Sequence, residues 1–297
     1  MNNYSDFYYR VGDGLQLYAR DYTDANGNTK DSTLTVLCLH GLSRNSADFA
    51  ELADRLCDRY RVLVPDQRGR GLSQWDSDSS RYQPLTYVQD MWQLLDAQGI
   101  ERVVVIGTSM GGLMGMLMAA QQPQRIAGLV INDVGPEVDP AGLARLMSYV
   151  GRDKVIRNWD DAVSYTRELN QVCFPFYGDE QWQAMARRLY RENEQGVPVV
   201  AYDPAIAAPI HSDQGNAVPP DLWPLFQTLQ EVPLLLLRAE LSDLLSETCF
   251  ARMQEEVPAA MAVTVPGVGH APMLDEPDAV DAIEEFLAAC DLAATTE

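Results

Sequence analysis

Short apolar runs alternate along the chain with longer segments in which apolar residues recur at helical spacing. The runs are rich in β-branched and aliphatic residues, and they are too continuously apolar for strands that keep one face in water. Buried strands separated by helices are typical of an α/β fold with a mostly parallel sheet. The six clearest runs are residues 34–39, 62–64, 103–106, 129–131, 233–238 and 261–265.

Two further segments with alternating apolar residues lie near the start of the chain. Residues 7–11 and 15–20 flank Gly12-Asp13-Gly14, a turn that contains two glycines. This pattern predicts an antiparallel hairpin that leads into the sheet. The sequence therefore predicts about eight strands, with helices on both faces of the sheet.

The spacing of the runs predicts an insertion. Strand-like runs follow one another up to residue 131, and the next one begins only at residue 233. The interval contains helical patterns at residues 142–150, 159–170 and 179–194, together with many aromatic residues. We predict a helical cap of residues 138–219, inserted after the sixth strand of a core formed by residues 1–137 and 220–297.

Charge excludes two classes of partner. The chain has 22 Lys+Arg and 43 Asp+Glu, a formal net charge of −21. Nucleic-acid binding and docking on anionic lipid both need clustered basic residues, so neither is expected. The hydrophobic fraction of 46% is that of a globular protein with a well-filled core, so the charge does not indicate disorder.

The chain begins without a basic and apolar leader, and no apolar stretch is long enough to span a bilayer, which predicts a cytoplasmic protein. Its cysteines are odd in number and include no C-x-x-C pair, so we expect free buried thiols and neither disulfides nor zinc. We expect no metal and no organic cofactor. The cysteines are Cys38, Cys57, Cys173, Cys249 and Cys290.

The strongest chemical signal is a G-x-S-x-G sequence, Gly107-Thr108-Ser109-Met110-Gly111, between a buried strand and an apolar helix. In this context a serine lies on a sharp turn and presents its hydroxyl above the sheet, at the positive end of the helix. The turn needs small residues at 107 and 111 because larger side chains would collide with neighbouring elements. The motif predicts Ser109 as a nucleophile.

A serine nucleophile needs a base, and the chain has three histidines. His270 follows the last predicted strand, where it can reach Ser109 from above the strand ends, and it is the predicted general base. His40 follows the strand at 34–39, and its predicted part is to shape a loop whose N–H groups receive an oxyanion. His211 lies in the insertion and is predicted to be a surface or lid residue.

The base needs a carboxylate to orient it. Asp243 follows the strand at 233–238 and gives the chain order Ser, Asp, His that is typical of nucleophile-elbow hydrolases. We predict Asp243 as this acid. Glu240 and Glu247 are nearby competitors, and Asp133 is the alternative if the acid follows the preceding strand instead.

Taken together, these motifs resemble the α/β-hydrolase superfamily, and within it the lidded serine esterases, meta-cleavage-product hydrolases and enol-lactonases. The resemblance covers nearly the whole chain. It implies an α/β-hydrolase fold, an oxyanion hole formed by the N–H groups of Leu42 and Met110, and a structural turn at residues 66–69. The motifs are His40-Gly41-Leu42, Pro65-Asp66-Gln67-Arg68-Gly69-Arg70-Gly71-Leu72-Ser73, the G-x-S-x-G turn, Asp243 and Gly269-His270.

The substrate-binding residues are predicted in two places. One group lies in the loop after the first parallel strand, and the other consists of aromatic residues of the insertion, some of which must face the core beneath them. The residues are His40, Gly41, Phe174, Phe176 and Trp182.

The first of three functions below is the one predicted, and the other two remain as alternatives. The first is hydrolysis of small carboxylic esters or lactones through an acyl-enzyme, and the second is carbon–carbon hydrolysis of ring-cleavage products with the same residues. The second would be favoured by a cap arginine that binds a substrate carboxylate, and Arg187, Arg188 and Arg191 either serve this purpose or form a solvated helix face. The third is a ligand receptor built on a hydrolase fold. Monomer and homodimer are both compatible with the sequence.

Overall fold

A computed structural model describes residues 3–23, 34–152, 154–211 and 221–294. The strands in these ranges are β1 Tyr4–Arg10, β2 Gln16–Tyr22, β3 Thr35–Leu39, β4 Arg61–Asp66, β5 Val103–Thr108, β6 Ile126–Asn132, β7 Tyr190–Glu192, β8 Pro198–Val200, β9 Leu234–Ala239 and β10 Met261–Val265. The α-helices are α1 Ala50–Leu56, α2 Pro84–Ala97, α3 Met110–Gln121, α4 Pro140–Met147, α5 Trp159–Asn170, α6 Asp179–Leu189, α7 Ala208–His211, α8 Trp223–Gln227, α9 Glu247–Glu256 and α10 Pro277–Ala294.

Eight of the strands form one sheet in the order β1-β2-β4-β3-β5-β6-β9-β10. The predicted hairpin is confirmed, since β1 and β2 are antiparallel and β2 also pairs antiparallel with β4. The remaining neighbours are all parallel. The predicted α/β-hydrolase fold is therefore confirmed, and the parallel strands all end at the same edge of the sheet.

Two apolar layers cover the sheet, and β5 shows how the sequence specifies them. Val103 and Val105 pack into one layer with α2, α3 and α8, whereas Val104 and Ile106 pack into the other with α1 and α10. Successive side chains of a strand point to opposite faces, so a run that is apolar at every position fills both layers. Because β5 and β6 are buried on both faces, the residues that follow them leave the sheet at fixed positions along its carboxyl edge.

The segment between β6 and β9 contains the predicted helices, with one difference. The helix predicted at residues 179–194 ends at Leu189 as α6, and the chain continues into the antiparallel pair β7 and β8. Gly196 has a φ of 74° in the turn between these strands, a conformation that glycine adopts without strain. We call the described residues 140–211 the cap segment, and the predicted cap boundary at residue 219 lies outside the described residues.

Within the described ranges, no helix combines the length and the apolarity that a membrane crossing requires. All five cysteines are buried, as predicted, and none forms a disulfide with another described residue.

Candidate active site

Ser109 lies on a sharp turn between β5 and α3. Its φ of 53° and ψ of −115° are strained for a residue with a side chain. The turn fits because two neighbours lack side chains: a Cβ on Gly107 would lie 2.3 Å from the Gly111 carbonyl oxygen, and one on Gly111 would lie 2.0 Å from that of Leu39. The local backbone therefore holds the Ser109 hydroxyl at the carboxyl edge of the sheet.

His270 contacts this hydroxyl from the loop after β10. Its Nε2 lies 2.9 Å from Ser109 Oγ, and its side chain is buried. The N–H of the preceding residue, Gly269, donates a hydrogen bond of 2.6 Å to the carbonyl of Cys173 in the cap segment. The histidine is therefore held between the core and the cap segment.

Asp133 completes the chain of contacts. It follows β6 directly, is fully buried, and accepts a hydrogen bond of 2.8 Å from His270 Nδ1 at its Oδ2. The N–H of Ala239 donates to Oδ1, and the hydroxyl of Ser242 donates to Oδ2, both at 2.8 Å. These donors hold the carboxylate in a single orientation beneath the imidazole.

The predicted contact between Asp243 and His270 is wrong. The Asp243 carboxylate instead accepts hydrogen bonds of 2.5 and 3.0 Å from Nε and Nη2 of Arg145 on α4. Burial alone would raise the pKa of Asp243, but the Arg145 guanidinium outweighs burial and holds this pKa below its ordinary value. The adjacent strands β6 and β9 bring both carboxylates to the same edge, and the side chain of Asp243 faces the cap segment.

The predicted oxyanion residues lie beside Ser109. Met110 is the first residue of α3, so its N–H has no acceptor within the helix. A Cβ on Gly41 would lie 3.7 Å from Ser109 Cβ, which places the loop of Gly41 and Leu42 against the serine. The predicted oxyanion residues therefore lie in the helix start and the loop that adjoin Ser109.

His40 supports this loop from behind. It is fully buried; its Nδ1 donates to the carbonyl of Gly41 at 2.8 Å, and its Nε2 accepts from the N–H of Gln67 at 3.0 Å. Burial lowers the pKa of His40 to about 4, so the ring is neutral above that pH. The Gly41 carbonyl belongs to the same peptide group as the N–H of Leu42, and its hydrogen bond with His40 polarises that donor.

Arg70 is a supporting residue that sequence reasoning missed. Its fully buried guanidinium donates to the Leu42 carbonyl at 2.9 Å, to the Arg68 carbonyl at 2.8 Å and to the Tyr87 hydroxyl at 2.9 Å. An arginine in a glycine-rich turn gives no sequence signal for such burial, because charged side chains are ordinarily exposed. Arg70 fixes the loop of Leu42 from the side opposite Ser109.

A cavity of about 400 Å³ lies over Ser109 and His270. Its floor includes Gly41 and Leu42 of the core, and the predicted contact residue Phe174 is part of its wall. The cap segment supplies most of the apolar lining, including Leu146, Val150, Ile156, Leu169 and Val200. The serine therefore faces a mostly apolar space of a size that suits a small molecule.

Three predicted substrate-binding residues, His40, Phe176 and Trp182, lie outside this lining. His40 is fully buried, and both of its ring nitrogens bond to the backbone of Gly41 and Gln67. The Phe176 side chain is 82% exposed, because its backbone follows the turn after Phe174 toward solvent. Trp182 is buried in the packing of α6, where its Nε1 donates to the carbonyl of Tyr177. His211 is the last residue of α7, and its side chain lies outside the described residues.

The three cap arginines also lie away from the cavity. Arg187 stacks over the ring of Trp159 at 3.5 Å, and Arg191 lies 5.9 Å from the ring of Trp75. Arg188 forms an ion pair with Glu51 of α1. The alternative interpretation of a solvated helix face fits Arg187, which is 60% exposed on α6. It does not fit Arg188, which is 16% exposed, or Arg191, which lies on β7.

Comparison with known proteins gives relatives along the whole chain. A model of the alpha/beta hydrolase family matches residues 36–283. The chain is 33% identical over 257 residues to 3-hydroxybutyrate-oligomer hydrolase of Cupriavidus necator, covering 84% of this chain and 87% of that protein. It is 26% identical over 245 residues to 2-(acetamidomethylene)succinate hydrolase of Mesorhizobium japonicum, covering 82% and 84% of the two chains.

Among solved structures, an alpha/beta hydrolase from Novosphingobium aromaticivorans superposes with a TM-score of 0.90 at 44% identity, covering 97% of this chain and 99% of that one. The sheet order, the strained serine between β5 and α3 and the matched residues 36–283 agree with one another. The chain belongs to the alpha/beta hydrolase family.

Proposed function

We propose that this hydrolase cleaves carboxylic esters through an acyl-enzyme on Ser109, with His270 as general base and Asp133 as the residue that orients it. The observation that carries the proposal is the pair of contacts from one imidazole, 2.9 Å to Ser109 Oγ and 2.8 Å to Asp133 Oδ2, beneath the cavity. A nucleophile, a base and an orienting carboxylate in this arrangement activate a hydroxyl for acyl transfer.

The first step forms the acyl-enzyme. Ser109 Oγ attacks the ester carbonyl carbon while His270 Nε2 accepts the hydroxyl proton. The Nδ1–H of His270 donates to Asp133, whose hydrogen bonds from Ala239 and Ser242 keep the carboxylate aligned. The Asp133 carboxylate thereby stabilises the single positive charge that the imidazolium acquires, without becoming protonated itself.

The oxyanion is assigned to the N–H groups of Leu42 and Met110. Preorganised donors of this kind stabilise charge that develops in the transition state. The hydrogen bonds of His40 and Arg70 to the carbonyls of Gly41 and Leu42 hold the first donor in place. The helix α3 adds the positive end of its dipole at the second donor.

The first step is completed when the carbon–oxygen bond of the ester breaks and His270 gives its proton to the leaving alkoxide. In the second step His270 accepts a proton from a water molecule that attacks the acyl-enzyme. The bond between the acyl carbon and Ser109 Oγ then breaks, Oγ recovers the proton from His270, and the acid is released. Lactones are hydrolysed by the same steps, with the alcohol retained in the product.

Esters of hydroxy acids are the best supported substrates. The Cupriavidus necator relative is named for 3-hydroxybutyrate oligomers, in which ester bonds join the units. The carbon–carbon alternative gains no support from Arg187, Arg188 and Arg191, which are engaged away from the cavity.

Turnover of 4-nitrophenyl butanoate by Ser109→Ala tests the proposal. We expect kcat to fall by about a thousandfold or more, since removal of a nucleophile costs most of the catalysis. Ser80→Ala is the matched control, because Ser80 is exposed and contacts Asp78 alone in its turn. A fluorophosphonate should label Ser109 in the unaltered protein.

Full turnover by the Ser109→Ala protein would contradict the proposal. Tight ligand binding without turnover of any ester, lactone or ring-cleavage product would favour the receptor alternative instead.

A further inference from the structure

We propose that the cavity takes an aliphatic ester with a carboxylate at one end, and that Arg152 and Lys154 of the cap segment bind this carboxylate. The inference rests on the proposed function, because it names the substrate class of the same site. It assigns to these two residues a specificity role that is separate from the bond cleavage at Ser109.

The charge around the cavity is opposite to that of the whole chain. Acidic residues outnumber basic ones by nearly two to one overall. Apart from His270, however, the charged residues among the described lining are Arg44, Asp48, Arg152 and Lys154. The one carboxylate among them is already bound, because Arg44 donates to Asp48 at 2.5 and 2.8 Å. Two positive charges therefore remain without a carboxylate among the described residues of the cavity wall.

The two remaining cations are only weakly engaged. Lys154 Nζ lies 3.8 Å from Glu168, and both side chains are more than half exposed, so this ion pair contributes little. The Arg152 guanidinium forms no ion pair with any described residue. Lys154 is also one of only two lysines in the chain, so a lysine beside this cavity stands out from a surface where arginine is the usual cation.

The rest of the lining defines the body of the substrate. Leu146, Val150, Ile156 and Leu169 present aliphatic side chains between the cap segment and the serine. An aliphatic ester fills this space, while a terminal carboxylate remains partly hydrated beside the exposed cations and avoids the cost of full burial. Half-esters and acylated hydroxy acids combine these two properties.

A pair of probes that differ only in charge tests the inference. These are 3-butanoyloxybutanoate and 3-butanoyloxybutanamide, with butanoate release measured by chromatography. In the unaltered protein we expect kcat/KM for the carboxylate probe to exceed that for the amide by about tenfold, a difference that about 0.5 M NaCl reduces because the cations are exposed.

The double variant Arg152→Gln, Lys154→Gln should raise KM for the carboxylate probe by about tenfold. Its kcat should stay within about twofold, because the two cations bind the carboxylate equally well in the ground state and in the transition state. Its constants for the amide probe should not change. Arg157→Gln is the matched control, since Arg157 is an exposed cap arginine that pairs with Asp161 and lies outside the lining.

Equal constants for the two probes in the unaltered protein would overturn the inference, as would a double variant that retains the preference for the carboxylate. Failure to cleave the carboxylate probe would also overturn it. The proposed function is judged separately, by fluorophosphonate labelling of Ser109 and by turnover of the uncharged 4-nitrophenyl ester.

Discussion

The edge of the sheet and the cap segment hold their polar groups in different ways. At the edge, Ser109, Asp133 and His40 are held by buried hydrogen bonds, most of them with backbone or with one another. In the cap segment, the charged groups pair across partly exposed contacts, such as Arg145 with Asp243. Water and salt weaken exposed ion pairs much more than they weaken buried hydrogen bonds.

The two carboxylates at this edge show what the difference means. Asp133 and Asp243 follow neighbouring parallel strands, yet the first orients toward His270 and the second toward the cap segment. In the proposed mechanism the reacting groups therefore all belong to the core, whereas Asp243 pairs the core with Arg145 of the cap segment. The predictions below test this division.

The largest expected effect is a loss of kcat that distinguishes Asp133 from Asp243. Asp133→Asn should lower kcat by about a thousandfold or more, because the amide no longer holds His270 in the required tautomer. Asp243→Asn should lower kcat by less than about tenfold, because its partner is Arg145. The measurement is kcat for one ester with both proteins, and the reverse order of the two effects would assign the acid to Asp243.

The next effect is the pH dependence of the free energy of unfolding that the buried His40 causes. The pKa of His40 is about 4 in the folded protein against 6.5 for an ordinary histidine, so between these values the unfolded chain binds more protons. The free energy of unfolding should therefore fall as pH is lowered from 6.5 to 4, by about 3 kcal/mol in total.

Urea unfolding at several pH values measures this slope. His40→Gln removes the titrating ring, so the variant should be less stable near neutral pH and its stability should depend less on pH between 4 and 6.5. An identical slope in the variant would show that the buried histidine does not cause the acid sensitivity.

The smallest effect concerns the exposed pair of the cap segment. A double-mutant cycle of Arg145→Gln and Asp243→Asn should give a coupling of about 1 kcal/mol or less, because both side chains are partly exposed. The pKa of Asp243 is lowered, so this coupling is present above the ordinary aspartate pKa and is lost as pH falls through the folded value.

Added salt refines this test. About 1 M NaCl should reduce the Arg145–Asp243 coupling, while it should leave the effect of Asp133→Asn on kcat unchanged. A coupling that persists in high salt would mean that the pair is as well shielded from water as the groups at the sheet edge.

The fold could be predicted from the sequence because burial on both faces leaves a local signal. The central parallel strands β3, β5 and β9 are largely continuous apolar runs, and the glycines around Ser109 mark the turn. The helix predicted to residue 194 is five residues too long, because a cross-strand pairing of β7 with β8 overrides the local helical pattern.

Local sequence patterns could not show whether Asp133 or Asp243 contacts His270. Asp133 and Asp243 both follow strands, and the sequence does not show which way either side chain turns. That direction depends on Ser242 and on Arg145, a residue of a segment distant in the chain. The burial of Arg70 and the placement of Phe174 rather than Phe176 on the cavity depend in the same way on tertiary packing.

The hydrogen bond from Gly269 to Cys173 links the cap segment, which covers the cavity, to the backbone beside His270. Gly269 directly precedes His270, and Cys173 belongs to the cap segment, so a displacement of the cap segment at this point would break a bond that holds the backbone beside His270. If substrate entered by such a displacement, Ser109 would lose its contact with a correctly placed His270 until the cap segment returned. The enzyme would then regain its reactivity only as the cavity closes, which couples the timing of the reaction to enclosure of the substrate.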